Sequence, residues 1–539
     1  MIKKRTLLTT LVLLSVMQGS VYAVNLTTKT IRESGIYNGI NLKIEGSSDL
    51  EGISFTAKNN DVNDNKIIVN LDDNETGKIA INGTRNVYGI WLSDTTGNAA
   101  KLEVNGNVLE LNLTGCINGA GNNVIGIWSE TLYNPIPGAE DDKYAGGYIK
   151  LNNIRTDINI DTQRQAKGIV AGSDFGNNSG HNGHIELNGD VNITINNSAP
   201  VDVGSTDEYR HIGIVACDGE ADINKDVSID ITSHSGYGYF HEVAGLHTAY
   251  GGKIDSSDES DIFINIKGDN KVGDSKVCGV VNSGLYDILD IQNNVDNPSN
   301  INLNGNTYIK LDSANSNSIG VETWAKSTFN ANNIYIDFSS QSNGACTGIK
   351  ALDDSSININ NLYIGTGKGD FRNEGYLNKN DKVIAITNSS SNFKGVSTNS
   401  TININCDNDL NTKHGTVMIN GAVDANYKGT INLNLDNVES YLFGNVNTSI
   451  SATTNILVTN SANWKNIGDS TLTHLQLSTK GLVDMTDKVY NDDFEKITIK
   501  TFDGSGGTIN MDIDASTNTD NSDRVYVDGI HSGTHYITL

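Results

Sequence analysis

Proline is almost missing, with 4 among 539 residues. Proline has no N–H to give to a ladder and is kept out of sheet interiors, so its rarity leaves long hydrogen-bonded strands unobstructed. Positive charge is also scarce: 38 Lys and Arg stand against 64 Asp and Glu, a net charge of −26. Nucleic acid and anionic membrane faces are bound by Lys/Arg patches, and no basic run follows the first residues, so no nucleic-acid partner is expected. The five cysteines, Cys116, Cys217, Cys278, Cys346 and Cys406, are odd in number and widely spaced. That excludes the dense, even framework of small exported scaffolds and the clustered ligands of a structural zinc site. No disulfide is expected, and each cysteine reads as a small buried hydrophobe. Aromatic residues make up 6%, too few to place a sugar-stacking platform by position.

What is abundant is 74 asparagines and 55 glycines, nearly a quarter of the chain. Collagen is excluded, because glycine does not recur at every third position. Disorder fits poorly, because Ile, Val, Leu and Tyr recur along the whole length. The first residues carry an export signal. Lys3, Lys4 and Arg5 precede a short apolar run from Leu7 to Val16, and Val21-Tyr22-Ala23 ends it, so cleavage is expected between Ala23 and Val24. The run is about half of the roughly 20 residues needed to span a bilayer.

The chain is built from repeats. A Gly followed by an aliphatic residue appears in Tyr88-Gly89-Ile90-Trp91, Ile125-Gly126-Ile127-Trp128, Lys167-Gly168-Ile169-Val170, Ile212-Gly213-Ile214-Val215 and Ala244-Gly245-Leu246-His247. It continues in Cys278-Gly279-Val280-Val281, Ile319-Gly320-Val321-Glu322 and Thr347-Gly348-Ile349-Lys350, and degenerates to Ile384-Ala385-Ile386. The mean step is 37 residues, which marks a solenoid or array with variable loops. A second motif lies between the copies: Leu102 to Leu111, Ile185 to Ile193 and Ile301 to Ile309 each join two alternating runs through an Asn-rich corner. Strict alternation is the signal of half-buried strands.

Asn-Gly between alternating runs is also the strongest local hairpin signal, so an antiparallel sandwich or propeller competes. Each repeat would then hold a hairpin plus a lone third strand. In a parallel β-solenoid the three runs are three sides of one coil, Asn and Gly take left-handed corners, equivalent aliphatics stack at about 4.8 Å, and stacked Asn form amide ladders. The repeat period favours the solenoid. Near residue 400 strand runs become closer, at Thr401–Ile404, Thr416–Ile419, Thr430–Leu435, Thr454–Val458 and His474–Leu477, with four more in the last 60 residues. A stack needs an atypical closing cap, and this region is the candidate.

The wording of that region resembles pertactin-like autotransporters (type V secretion). It is carried by Val458-Thr459-Asn460-Ser461-Ala462-Asn463-Trp464, Ile467-Gly468-Asp469-Ser470-Thr471-Leu472, Gly504-Ser505-Gly506-Gly507-Thr508-Ile509-Asn510-Met511, Ser522-Asp523-Arg524-Val525-Tyr526-Val527 and Ser532-Gly533-Thr534-His535-Tyr536. The resemblance implies an all-β, right-handed parallel β-helix passenger with a C-terminal β cap. It implies a signal over 1–23, a repeat-built body over 24–399, and a folding nucleus over 400–539. It also implies an outer-membrane β-barrel translocator as partner. The sequence stops at Leu539, where the linker and barrel of that family would begin, so the expectation is either a truncated or split product or a translocator elsewhere.

Catalytic signatures are sparse. Gly468-Asp469-Ser470-Thr471 resembles a serine-protease stretch without its final Gly, and Ser470 reads as part of a cap turn rather than a nucleophile. Gly273-Asp274-Ser275-Lys276 reads likewise. His181 and His184 read as exposed loop rather than metal ligands. Glu140-Asp141-Asp142 and the Asp255 to Asp261 run lack calcium-loop spacing and read as solvated loops. No catalytic, cofactor or metal residue is assigned. The expectation is an exported surface or secreted passenger acting as an adhesin in attachment, aggregation or biofilm contact, with host matrix, glycan or a cell-surface ligand as partner. A polysaccharide lyase or glycanase with paired carboxylates and an inert surface fibre are the alternatives.

Overall fold

Lys101–Asn105 and Val108–Gly115 alternate apolar and polar residues on either side of Gly106-Asn107. A hairpin would pair these two strands with each other. They pair instead with strands of other coils. Lys101–Asn105 lies parallel between Lys66–Asn70 and Tyr148–Asn152, and Val108–Gly115 lies parallel between Thr76–Gly83 and Arg155–Thr162. Gly106 takes φ +138 between the two sides, where an added Cβ would lie 2.5 Å from the Leu71 carbonyl oxygen. The local turn signal is therefore real, but it marks a corner of a coil.

The computed structural model describes residues 21–23, 30–57, 66–71, 76–94, 100–116, 123–131, 147–173, 182–197, 208–233, 240–268, 276–284, 297–313, 317–338, 346–365, 383–389, 399–486, 494–513 and 522–539. These residues contain strands and turns, with no helix. The chain divides into two compact units, residues 1–268 and 269–539, and each is a parallel β-helix.

In the first unit each coil contributes to three parallel ladders. The first runs through Gly35–Asn38, Lys66–Asn70, Lys101–Asn105, Tyr148–Asn152, His184–Leu187, Glu220–Ile223 and Lys253–Ser256. The second runs from Asn41–Gly46 through Val108–Gly115 and Arg155–Thr162 to Asp261–Gly268. The third runs from Leu50–Ala57 through Asn123–Thr131 to Phe240–Ala249. Columns of equivalent aliphatics fill the interior. Leu102, Ile149, Ile185 and Ile254 stand in one register and are fully buried, each side chain contributing about 1.5–3 kcal/mol.

The Gly-aliphatic motif explains the third ladder. Flanking residues pair in register, as Ile125 with Lys167 and Ile127 with Ile169, and the glycines stack between them. A Cβ on Gly126 would lie 2.4 Å from the Gly168 oxygen and 2.6 Å from Ile158 Cγ2. Gly168 and Gly213 meet the next glycine oxygen and an opposing Ile in the same way. Glycine thus lets the facing sheet approach closely. In the second unit the stack passes from Gly348 to Ala385. There the register to Ala422–Ala425 slips between Ile384 and Ile386, so no residue of the next strand pairs with Ala385.

The second unit opens with long strands, Asn300–Ser313, Thr328–Phe338 and Ser356–Gly365. Ser356–Gly365 then pairs with both Thr401–Ile404 and Val417–Asn420, so one side becomes two around residues 405–416. The strands expected beyond 400 are present, most within a residue or two of their expected bounds. The unit's third ladder ends among the described residues at Val446–Thr448, and the later coils continue on two ladders to Arg524–His531 and Tyr536–Thr538.

Asparagine is used in both of the expected ways, but the left-handed corners are not reserved for it. Asn153, Asn182, Asn405 and Asn460 do take positive φ, but so do Cys116, Tyr250, Ala325, Lys326 and Lys480. Other asparagines stand in strands or just past their ends, in amide ladders. Asn105, Asn152, Asn188 and Asn224 each donate Nδ2 to the Oδ1 of the residue one coil earlier, at 3.1, 2.9, 3.5 and 2.8 Å. In the second unit Asn330, Asn358, Asn403, Asn432 and Asn455 continue from Asn302 at 2.7–2.9 Å. All five cysteines are free and buried.

Candidate functional site

The first ladder of the first unit presents an outer face whose side chains follow from the alternation. With Leu102, Ile149, Ile185, Ala221 and Ile254 pointing inward, their neighbours point out. One outward column is Lys101, Tyr148, His184, Glu220, Lys253; the next is Glu103, Lys150, Glu186, Asp222, Asp255. The Asn ladder runs beside them.

Cross-coil contacts tie these columns into a network. Tyr148 Oη donates to Glu186 Oε1 at 2.5 Å, and its ring meets the His184 ring edge-on at 5.1 Å. Lys150 Nζ is 3.1 Å from Glu186 Oε2, and Asn188 Nδ2 donates to the same oxygen at 3.3 Å. His184 Nε2 is 2.9 Å from Asp222 Oδ2. Lys253 Nζ reaches Glu220 at 2.6 Å and Asp255 at 2.5 Å. Two triplets bring their donor atoms within 4.8 Å of one another: His184, Glu186 and Asp222, and Glu220, Asp222 and Asp255.

The electrostatics follow from these contacts. Burial works against a charged His184, but the hydrogen bond and charge of Asp222, with Glu220 and Glu186 behind it, outweigh burial and raise its pKa. Burial favours a neutral Glu186, yet the bonds from Tyr148, Lys150 and Asn188 win and hold it below the usual carboxylate range. Burial first, then the bond to ionised Glu186, pushes the Tyr148 phenol up. Burial opposes charge on Lys253, and the bonds to Asp255 and Glu220 overcome it. A general acid in glycoside hydrolysis needs a raised carboxyl pKa. Glu186 is held ionised and is unsuited to that task.

The residues singled out from sequence are distributed as follows. His184 opens the strand His184–Leu187 and is half-buried, which corrects its reading as exposed loop: the alternation starts one residue after Gly183. His181 lies outside the described residues, as do Glu140, Asp141 and Asp142 and the stretch from Gly273 to Ser275. Asp255 stands on a strand of the outer face, while Glu259 follows in the exposed turn and meets Lys225 at 3.4 Å. Ala23 ends a short strand, Val21–Ala23, paired with Ile36–Asn38; Val24 lies outside the described residues. Ser470 is buried. Its Oγ donates to Asn466 Oδ1 at 2.6 Å and accepts the Val446 N–H at 2.9 Å, while Asp469 accepts the Lys496 N–H at 2.9 Å. Gly468 bends the chain and Ser470 opens the strand Ser470–Leu477, so the stretch latches neighbouring coils from a strand start and not from the expected turn. The nearby His474 pairs with Asp503 at 3.2 Å; it is four residues along the strand from Ser470, about 13 Å at 3.3 Å per residue.

Sequence reading missed Tyr148, Lys150, Glu186, Glu220 and Asp222. Their signal was the charged or aromatic residue before and after the first aliphatic of each run, as in Tyr148-Ile149-Lys150, His184-Ile185-Glu186 and Glu220-Ala221-Asp222. It also missed the Trp91–Trp128 stack, with centroids 5.3 Å apart and planes 9° from parallel, although both tryptophans occupy the same place in the Gly repeat. No protein-family model matches the chain, and no curated protein matches it.

Proposed function

We propose that this chain is an exported β-helical passenger of the kind carried by pertactin-like autotransporters, and that it serves attachment, aggregation or biofilm contact. The observation that carries this reading is the outer face of the first ladder. Amide and ion-pair columns cross successive coils there and present a regular polar surface, with charged groups bonded to one another. Such a face suits recognition of an extended partner by many weak polar contacts. The N-terminal export pattern and the strand start at Ser470, used for coil-to-coil bonding, agree with it. An outer-membrane β-barrel supplied by another segment or chain would deliver the passenger, and host matrix, glycan or another cell surface would be its partner.

The test is display of residues 24–539 on beads and on cells through a heterologous barrel, scored for binding to matrix proteins, glycans and like cells. Saturable binding or clumping supports the reading. A second reading rests on the carboxylates Glu220, Asp222 and Asp255: a glycan-cleaving β-helix would release reducing ends from polysaccharide and lose that activity in Asp222→Asn. Turnover without adhesion would replace the passenger-adhesin reading.

A further inference from the structure

We propose that His184, Glu186 and Asp222 bind one divalent transition-metal ion that joins two successive coils on the outer face of the first unit. His184 and Glu186 are two residues apart on one strand, so both leave the same face. Asp222 comes from the next coil, directly opposite Glu186 in the register. The three donor atoms lie within 4.8 Å of one another, and His184 Nε2 and Asp222 Oδ2 are 2.9 Å apart. Two donors each about 2.1 Å from one ion are separated by roughly 3.0–3.4 Å. For the His184–Asp222 pair the ion therefore replaces the shared proton with adjustments of a few tenths of an ångström, while Glu186, whose donor atom lies within 4.8 Å of both, closes on the ion by side-chain rotation and the strands stay in place.

Glu186 is already aimed. Tyr148 and Lys150 bond its two oxygens, the outer-shell arrangement that orients a ligating carboxylate. Charge balance points the same way. On this patch Lys150 and Lys253 face Glu186, Glu220, Asp222 and Asp255, so with His184 neutral, as a ligand must be, two negative charges remain for a divalent ion to offset. The imidazole selects the metal: Ca²⁺ and Mg²⁺ take oxygen ligands, while one imidazole with two carboxylates suits Zn²⁺ and its neighbours. Three protein ligands leave a position for water or a donor from a partner. This inference stands apart from the adhesin reading, since an inert chain would hold the ion equally well.

The experiment is calorimetric titration of chelator-treated full chain with Zn²⁺, alongside visible absorption with Co²⁺. The expected result is one high-affinity ion per chain and a Co²⁺ d–d band, both lost in His184→Ala and in Asp222→Asn. Both should persist in His474→Ala, which removes a His–Asp pair that is not among the three-ligand clusters. His184→Cys, which restores a ligand, should recover Zn²⁺ binding, and Ca²⁺ at equal concentration should give no comparable heat. Circular dichroism of each variant guards against loss of fold. Unchanged Zn²⁺ binding in His184→Ala and Asp222→Asn would mean an adventitious ion only and would overturn the assignment. So would Ca²⁺ binding with equal affinity.

Discussion

His211 is fully buried, and its bonds define its state. Nε2 lies 2.8 Å from the Arg164 carbonyl oxygen, so it carries the proton and donates, while Nδ1 at 2.9 Å accepts from the Ser233 hydroxyl. Burial favours this neutral ring and pushes its pKa down to about 4, against the bond to Arg164, which raises it. An unfolded histidine titrates near 6.5. Below about pH 6.5 the unfolded chain takes up a proton that the folded chain refuses until about pH 4. Stability from this group is therefore complete above 6.5 and is lost as pH falls through that window, by roughly 3 kcal/mol at its lower end. Denaturant midpoints between pH 7 and 4 should fall in the wild type and fall distinctly less in His211→Gln. Parallel slopes would show that other groups govern the acid limb. Burial likewise pushes the Cys116 and Cys406 thiols up to about 12 and Cys346 to about 11, and the thiolate is the reactive form. All five cysteines should resist a thiol reagent at pH 8 in the native chain and react together in denaturant. Fewer than five reactive thiols in unreduced, denatured protein would reveal a disulfide.

The bend leading into Ser470 and the glycine stack show how single positions set coil spacing. Ser470→Ala removes the acceptor of the buried Val446 N–H, a loss of about 1–3 kcal/mol, and should leave any binding activity of the folded protein intact. If the variant keeps full stability but loses an activity, Ser470 has a chemical role and its reading as a coil-to-coil latch fails. Gly213→Ala puts a Cβ 2.6 Å from both the Gly245 oxygen and Ile229 Cγ2. Overpacking of this kind costs about 1–3 kcal/mol, so the denaturant midpoint should drop, and an unchanged midpoint would mean that the stack yields more easily than its contacts imply. These elements also mark how far the chain could be read before its fold was known. Alternation in Leu102–Leu111 exposed both strands and their corner, because side-chain direction is local. The solenoid followed from the repeat, since Asn-Gly alone would equally have supported a hairpin. The network around His184 was not legible. Its members come from different coils, and successive Asn rungs at 70, 105, 152, 188 and 224 are 35, 47, 36 and 36 residues apart. With steps so uneven, counting residues does not place Asp222 beside His184; only alignment of His184-Ile185-Glu186 with Glu220-Ala221-Asp222 would have done so.

Coil length bears on which part of the molecule holds longest. From Asn403 the rungs fall at Asn432, Asn455 and His474, steps of 29, 23 and 19 residues. Halving a loop saves only about 0.6 kcal/mol of closure entropy, so shortness alone does not make 400–539 a folding nucleus. Buried polar bonding adds more. Asn405 donates to Asp436 at 2.9 Å and receives the Gly415 N–H at 2.6 Å, Asn432 donates to Asn403 at 2.7 Å, and fully buried Trp464 donates to the Gly444 carbonyl at 3.0 Å. Each such bond is worth about 0.5–1.5 kcal/mol net, and in a stack these terms sum with those of neighbouring coils. The final strands are different: Ile530 and Ile537 are 69% and 64% exposed, so the end coil should open first. Hydrogen exchange on the intact chain should be slowest in Thr430–Leu435, Thr453–Val458 and Ser470–Leu477, and faster in Arg524–His531 and Tyr536–Thr538. Removing 400–539 should leave 24–399 prone to proteolysis, while 400–539 alone melts cooperatively. Slowest exchange in Lys101–Thr131 with rapid exchange across 430–477 would place the nucleus in the first unit. The resemblance of 400–539 to an autotransporter folding region would then lose its energetic basis, because the coils that carry the resemblance would not be the ones that template the rest.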